Sequence, residues 1–475
     1  MNKKIGLLTL VMLIFVPTFG FGNITTNAYA LGPAAIPSWI FVAAFYFLPL
    51  IIIIAELASA NKDKGAGIYT WIESGLGTRW AYIGVWSYTF SNLFYLQMIF
   101  SRIPIMASWA IFGESRFDDS HTVLLSLLAA GVTIALTFIA TRGVGFFSRI
   151  SSFGGRFTVV ATVVLVVFAL IGYFLGQPAA SAYTAQTVIP KLDAEYFSTF
   201  SWLLFAVAGV EAAGTYVNSI ENPQKRLPKA IFIATALIAG AYILGSLAVS
   251  MLVSPEVLES GGIQNAPYIV YRTLAENFGL NGKIAIQVFA TIFTITSIAA
   301  YVIWSESPLR AMFTDVPDGI FPKFLLKKQP DGTLRTALWV QCSLVVIMIL
   351  APMVGIRSIN GIFVLLTNLT ALSMIPPYII LIAAYLSYRL KKGETPLTIM
   401  KSRGGVILVS ALTLTMSAFG FFGAGMYSFL YAESSSEALK GILMTYGGPI
   451  FFILLGYIPF YFSQRSAIRT DREVL

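Results

Sequence analysis

Apolar runs of twenty or more residues recur from one end of this chain to the other, and nothing constrains its fold more. A helix crossing ~30 Å of hydrocarbon needs about 20 such residues. In lipid only helices or closed barrels satisfy their own backbone, and the ten-residue alternation of a barrel strand is absent. The runs number twelve, at approximately 5–30, 36–58, 80–112, 122–141, 150–176, 197–219, 228–253, 283–312, 336–356, 360–388, 404–428 and 442–464. Only 11% of the 475 residues are charged and 57% are hydrophobic, whereas about a quarter of a soluble domain is charged. The fold class is an all-α integral membrane protein of twelve transmembrane helices, which excludes disorder, a disulfide scaffold and a water-soluble enzyme.

Residues 1–30 open with Lys3 and Lys4 and end Asn27-Ala28-Tyr29-Ala30, which looks like a signal-peptidase site. The apolar stretch is long for a signal peptide, however, and the next span starts near Trp39, so this segment reads as the first span. The single cysteine, Cys342, lies inside an apolar run, and the single histidine, His121, lies in a polar connector. Disulfides, cysteine metal sites, His-ligated metals and buried His relays are therefore not expected, and no cofactor is.

The net charge of +9 is scattered over short connectors, which argues against a nucleic-acid partner and for the positive-inside bias of a bilayer protein. With a cytoplasmic N-terminus, 24 Lys and Arg fall inside and 6 outside, and Arg102 lies within a span. Both termini are then cytoplasmic, in a multi-pass cell-membrane protein.

Two spans read as broken. The first carries Gly20, Phe21 and Gly22 followed by small polar residues to Asn27, and the sixth carries Ala206, Gly209, Glu211 and Gly214. Glycine inside a helix costs about 1 kcal/mol relative to alanine, and a mid-membrane glutamate costs several more. Helix packing through small residues is one reading. The other is unwound backbone facing a polar cavity. Spans one and six are matching members of two five-helix halves, which is the pattern of an inverted repeat with a midplane site. The first repeat would cover 1–176 and the second 197–388, followed by two further helices over 404–464 and a cytoplasmic tail over 465–475.

These residues also carry a resemblance. Gly20-Phe21-Gly22, Ala55-Glu56-Leu57-Ala58, Gly65-Ala66-Gly67-Ile68-Tyr69-Thr70-Trp71, Gly75-Leu76-Gly77, Gly209-Val210-Glu211, Asn222-Pro223 with Pro228, and Asp318-Gly319-Ile320-Phe321-Pro322 run nearly the whole chain. With them the sequence resembles transporters of the amino acid–polyamine–organocation superfamily, and within it the bacterial glutamate/γ-aminobutyrate antiporter group. The resemblance implies the five-plus-five, leucine-transporter-like fold and alternating-access exchange of an amino acid for a related product. The major facilitator fold would show a long central loop and an Asp/Arg-rich loop after span two, and neither is present.

On this reading the substrate's carboxylate meets the Gly20–Gly22 break and its amino group meets carbonyls near Ala206 to Gly209. Glu211 is a gate or coordinating carboxylate, as the resemblance suggests, or a structural glutamate bonded to loop backbone. Trp304 aligns with the tryptophan that arginine/agmatine-type exchangers set against substrate, or it is a core residue. Glu306, which the resemblance does not require, either pairs with Arg310 at i+4 or receives the substrate's amino group. Trp304 and Glu306 lie about 200° apart around a helix, so they do not share one narrow face.

Span three offers Asn92, Tyr95, Gln97 and Arg102, with Phe94, Tyr95 and Ile99 where arginine-type relatives hold a guanidinium. Thr367, Asn368 and Thr370 in span ten are donors for a substrate side chain or ordinary interhelical bonds. Proton-coupled relatives carry a lysine in span five, where this chain has Thr158 near Arg156, and obligate exchange is the expectation.

Two intramembrane carboxylates without an intramembrane lysine tilt the substrate toward a cationic amine pair, such as agmatine/putrescine or tyrosine/tyramine. Glutamate/γ-aminobutyrate or a neutral amino acid stays open if Glu306 pairs with Arg310. The expected partners are such a small molecule and the bilayer; a homodimer is compatible with the sequence. A channel or sensor would add rings of charge or a cytoplasmic domain, and no catalytic motif suggests an enzyme.

Overall fold

Glycine, proline and small polar caps set where the apolar runs begin and end as helices. The computed structural model describes residues 6–61, 67–142, 145–209, 211, 223–315, 320–329 and 333–461. Among these residues the regular structure is all helical, and eight helical stretches are long and apolar enough to cross a membrane.

The first run is interrupted as its glycines suggested: α1 (Leu7–Thr18) stops, Phe19 and Gly20 are extended, and α2 (Phe21–Leu31) restarts. Leu10 and Ile14 of α1 are fully buried and the helix packs against α11 (Pro223–Leu252). Helical backbone then continues almost unbroken from Phe21 to Ala60. At 1.5 Å per residue, 40 residues are about twice the hydrocarbon thickness. The stretch turns at Gly32, whose φ of 53° suits glycine. Beyond it come α3 (Ala35–Val42), a π turn over Ala43–Phe47, and α4 (Leu48–Ala60). Pro49 brings no amide to the Phe45 carbonyl one turn back, and the backbone widens there.

Next come α5 (Ile68–Leu76) and α6 (Thr78–Phe112), the longest helix, which ends at a left-handed Gly113. α6 lies against both α14 (Gly282–Asp315) and α16 (Ile359–Lys392), and these three form the centre of the bundle. α7 (Thr122–Ala140), α8 (Gly145–Phe174) and the short α9 (Ala185–Val188) follow. α10 (Ala194–Phe205) is capped by Asp193 and stops after 12 residues. The rest of the expected sixth span, 212–219, lies outside the described residues, as do Asn222, Gly65-Ala66, Asp318-Gly319 and the tail over 465–475.

The connector between α11 and α14 folds into α12 (Pro255–Gly261) and α13 (Ala266–Asn277). Both, like α5, are shorter than a bilayer-crossing helix, so a search for long apolar runs passes over them. α15 (Arg335–Leu350) loosens into a 3-10 turn at Ala351–Val354. α17 (Arg403–Gly423) stops five residues before the expected end at 428, and α18 (Met426–Leu430) follows. α19 (Ser435–Leu455) starts earlier than expected, at the Ser434 cap.

Four buried hydroxyls are satisfied within their own helices: Ser87, Thr133, Thr162 and Thr413 each donate to the carbonyl four residues back. This is how polar residues persist in apolar helices. At the ends of α4 and α16, Glu56 and Arg389 form a buried ion pair. Glu56 also accepts the Ile399 and Met400 amides (2.6 and 2.7 Å) and the Tyr385 hydroxyl (3.0 Å), while Arg389 donates to the Gly393 and Met400 carbonyls. The loop joining α16 to α17 is thereby folded back onto α4.

Candidate functional site

The two interrupted helices meet at one phenol. Tyr242, on α11 and fully buried, donates to the Ala206 carbonyl just past α10 at 2.7 Å. Its oxygen accepts the Gly20 amide (3.2 Å) and the Asn23 side-chain amide (3.3 Å), and the Thr18 carbonyl lies 3.3 Å away. Trp39 stacks on the ring at 4.2 Å and Phe19 flanks it at 5.2 Å. Sequence reading missed Tyr242. Its signal was available: a phenol in mid-span must find a polar partner. Tyr242→Phe removes the bridge while keeping the ring, and is expected to lower the transport rate per folded protein about tenfold and to cost about 1–3 kcal/mol of stability, since the Gly20 amide and the Ala206 carbonyl lose a partner. Vesicle uptake and a detergent melt check this, and an unchanged rate counts against the bridge.

At the first break, the leading amides of α2, at Phe21 and Gly22, have no partner one turn back within the helix, so this is the positive end of a half-helix. Phe21 contributes backbone there, because its ring packs on Tyr271 and Phe289. A Cβ at Gly22 would lie 3.8 Å from Arg102 Nη1, so the guanidinium of α6 borders the break. The Arg102 head sits over the Phe363 ring at 5.9 Å.

At the second break, α10 tightens through Ala206–Gly209 and leaves the helix at Gly209, whose φ of 101° strains any L side chain. The Gly209 amide donates to Glu211 Oε2 (3.0 Å) and to the Tyr378 hydroxyl (3.2 Å). The Glu211 carboxylate, 5% exposed, also accepts the hydroxyls of Tyr88 (2.8 Å) and Tyr378 (2.6 Å). Both oxygens are engaged by the protein, and the residue ties the second break to α6 and α16.

Beside the second break stands an aromatic cluster. Tyr95 meets Trp304 edge to face at 5.6 Å and Phe205, at the end of α10, at 5.9 Å. Asn92 holds the Trp304 carbonyl at 3.3 Å. Glu306 is buried on α14, 3% exposed, and the Arg310 side chain lies outside the described set. Thr367 donates to Phe363 within its own helix, and Thr370 to Leu366 and Phe94. Asn368 accepts the Trp202 indole at 2.6 Å, linking α16 to α10. The structure thus brings Gly20, Gly22, Ala206, Tyr95 and Trp304 into one connected region. It turns the Thr367 hydroxyl and the Asn368 carbonyl toward helix contacts. Thr158 donates to Gly154 within α8.

A multi-pass helical bundle with two interrupted helices is the architecture expected of a membrane transporter. The chain belongs to the amino acid permease family, whose profile matches residues 5–458, so it is a transporter and not an enzyme, and the resemblance read from the sequence holds. It is 28% identical over 484 residues, covering 100% of this chain and 99% of the relative, to the aspartate/glutamate permease AcaP of Lactococcus lactis subsp. cremoris. It is 26% identical over 498 residues, 99% and 98% of the two chains, to the inner membrane transporter YjeM of Salmonella typhimurium. The glutamate/gamma-aminobutyrate antiporter of Lactococcus lactis subsp. lactis is 22% identical over 424 residues, 87% of this chain and 81% of that one.

Proposed function

We propose that this permease exchanges acidic amino acids, binding them between the breaks of its first and sixth spans. The supporting observation is the Arg102 guanidinium at Gly22. A half-helix N-terminus suffices for the α-carboxylate. A positive charge beside it favours a substrate with a second carboxylate, because intramembrane arginines face the bundle interior and mark substrate pathways. The substrate's ammonium group meets carbonyls of the second break, and Tyr95, Trp304 and Phe205 cover its aliphatic part. The full-length similarity to an aspartate/glutamate permease supports the same choice.

The cationic-amine reading rested on two carboxylates, and the engagement of Glu211 by Tyr88, Tyr378 and Gly209 leaves it with Glu306. That buried residue is the reason to include amines in any test.

In this account the chain has twelve spans in the five-plus-five inverted arrangement with two added helices, and both termini in the cytoplasm of an inner-membrane protein. The two bundles rock about the bound substrate, transport is exchange because no lysine stands in the fifth span to carry a coupling proton, and a homodimer is compatible with it. Arg102→Gln tests the substrate class. It is expected to weaken competition by glutamate and aspartate about 30-fold or more, while neutral amino acids change less than about threefold. Equal losses for acidic and neutral compounds would remove Arg102 as the second counter-charge.

A further inference from the structure

Where α16 ends and α17 begins, a cavity of about 320 Å³ is lined by Arg389, Lys391, Lys392, Lys401 and Arg403, with Glu394 its one lining carboxylate. Three of these cations are held in place by backbone. Arg389, only 6% exposed, donates to Gly393 and Met400, Lys392 donates to Ser74 at 3.0 Å, and Arg403 donates to Leu390 at 3.3 Å. Glu56 beneath Arg389 offsets one charge, and the remainder is strongly positive.

We propose that this cavity binds the phosphate headgroup of an anionic phospholipid. Its position argues for a lipid rather than a free anion. Both helices are apolar enough to cross the membrane, so the junction between them lies at headgroup depth. The neighbouring surface is apolar and outward-facing, with Leu390, Ile407 and Leu408 exposed by 36, 49 and 59%. A phosphate in the basic cavity would leave its acyl chains along these residues, which is how basic pockets between spans recognise anionic lipids. Because Arg389 joins the cavity to Glu56 of α4, a bound headgroup would also brace the inner end of α16, the helix that carries Phe363 and Tyr378.

The test is native mass spectrometry of the purified full chain incubated with equal amounts of phosphatidylglycerol and phosphatidylcholine of matched acyl chains. Wild type is expected to retain phosphatidylglycerol in at least tenfold preference. The Lys391→Gln/Lys401→Gln/Arg403→Gln variant is expected to lose that preference, with its thermal melt confirming that it folds. Equal retention of the two lipids by wild type overturns the proposal, whatever the variant does, and so does a preference unchanged in a folded variant. Displacement of phosphatidylglycerol by millimolar inorganic phosphate makes this a free-anion site and overturns the lipid assignment.

Discussion

A Gly22→Leu chain is expected to insert and melt like wild type and to lose exchange by at least about 100-fold. The first Cβ has room, since its nearest neighbour is Arg102 Nη1 at an ordinary 3.8 Å. The further carbons of leucine extend from a Cβ whose nearest neighbour is that guanidinium, beside the α2 amides, where the proposal puts the substrate's carboxylates. Helix propensity favours leucine over glycine by about 0.8 kcal/mol, and the melt separates any folding defect from the loss of exchange. Gly22→Ala should fall between. Uptake into vesicles, normalised to protein melting at the wild-type temperature, measures this. Wild-type uptake by the leucine variant would place the substrate elsewhere.

The second large effect concerns stability. Arg389→Met strands Glu56, which is fully buried, without its cation and is expected to cost about 3–5 kcal/mol. The Ile399 and Met400 amides and the Tyr385 hydroxyl still reach the carboxylate, but neutral donors do not replace a charge. Glu56→Gln alone should be costly too, by leaving the guanidinium unmatched. The Glu56→Met/Arg389→Met pair should lose less than either single change, because two apolar side chains leave no buried charge behind. Melting of the three proteins in detergent decides this. Additive losses in the double variant would show that the two residues act independently.

Much of the architecture was legible because lipid leaves so few options. Apolar runs gave the helices, and the glycines of the first run marked the extended Phe19 and Gly20 to within a few residues. Gly209 likewise marked where α10 unwinds. What escaped has physical reasons. α5, α12 and α13 are too short to register as membrane runs. The π turn before Leu48 depends on one missing amide at Pro49, which an apolar pattern does not report. Side-chain direction was harder still. Arg102 was visible as an intramembrane cation, but its place beside Gly22 depends on how α6 is rotated against α2, and a single sequence does not state that. Glu211 was legible as functional or structural, and its two phenol partners come from helices more than a hundred residues away on either side. Tyr242 stands in the sequence as one aromatic among many in an apolar span, and its contacts with both breaks come from the packing of α11.

Counterflow with the wild-type protein in vesicles tests whether acidic amino acids are the exchanged substrates. Vesicles loaded with unlabelled glutamate, with agmatine, or with buffer alone would be challenged with labelled glutamate. Rapid accumulation is expected in the glutamate-loaded vesicles and little in the other two. Labelled agmatine accumulating in agmatine-loaded vesicles, with no glutamate counterflow, would contradict it and return the substrate assignment to Glu306 and a cationic amine.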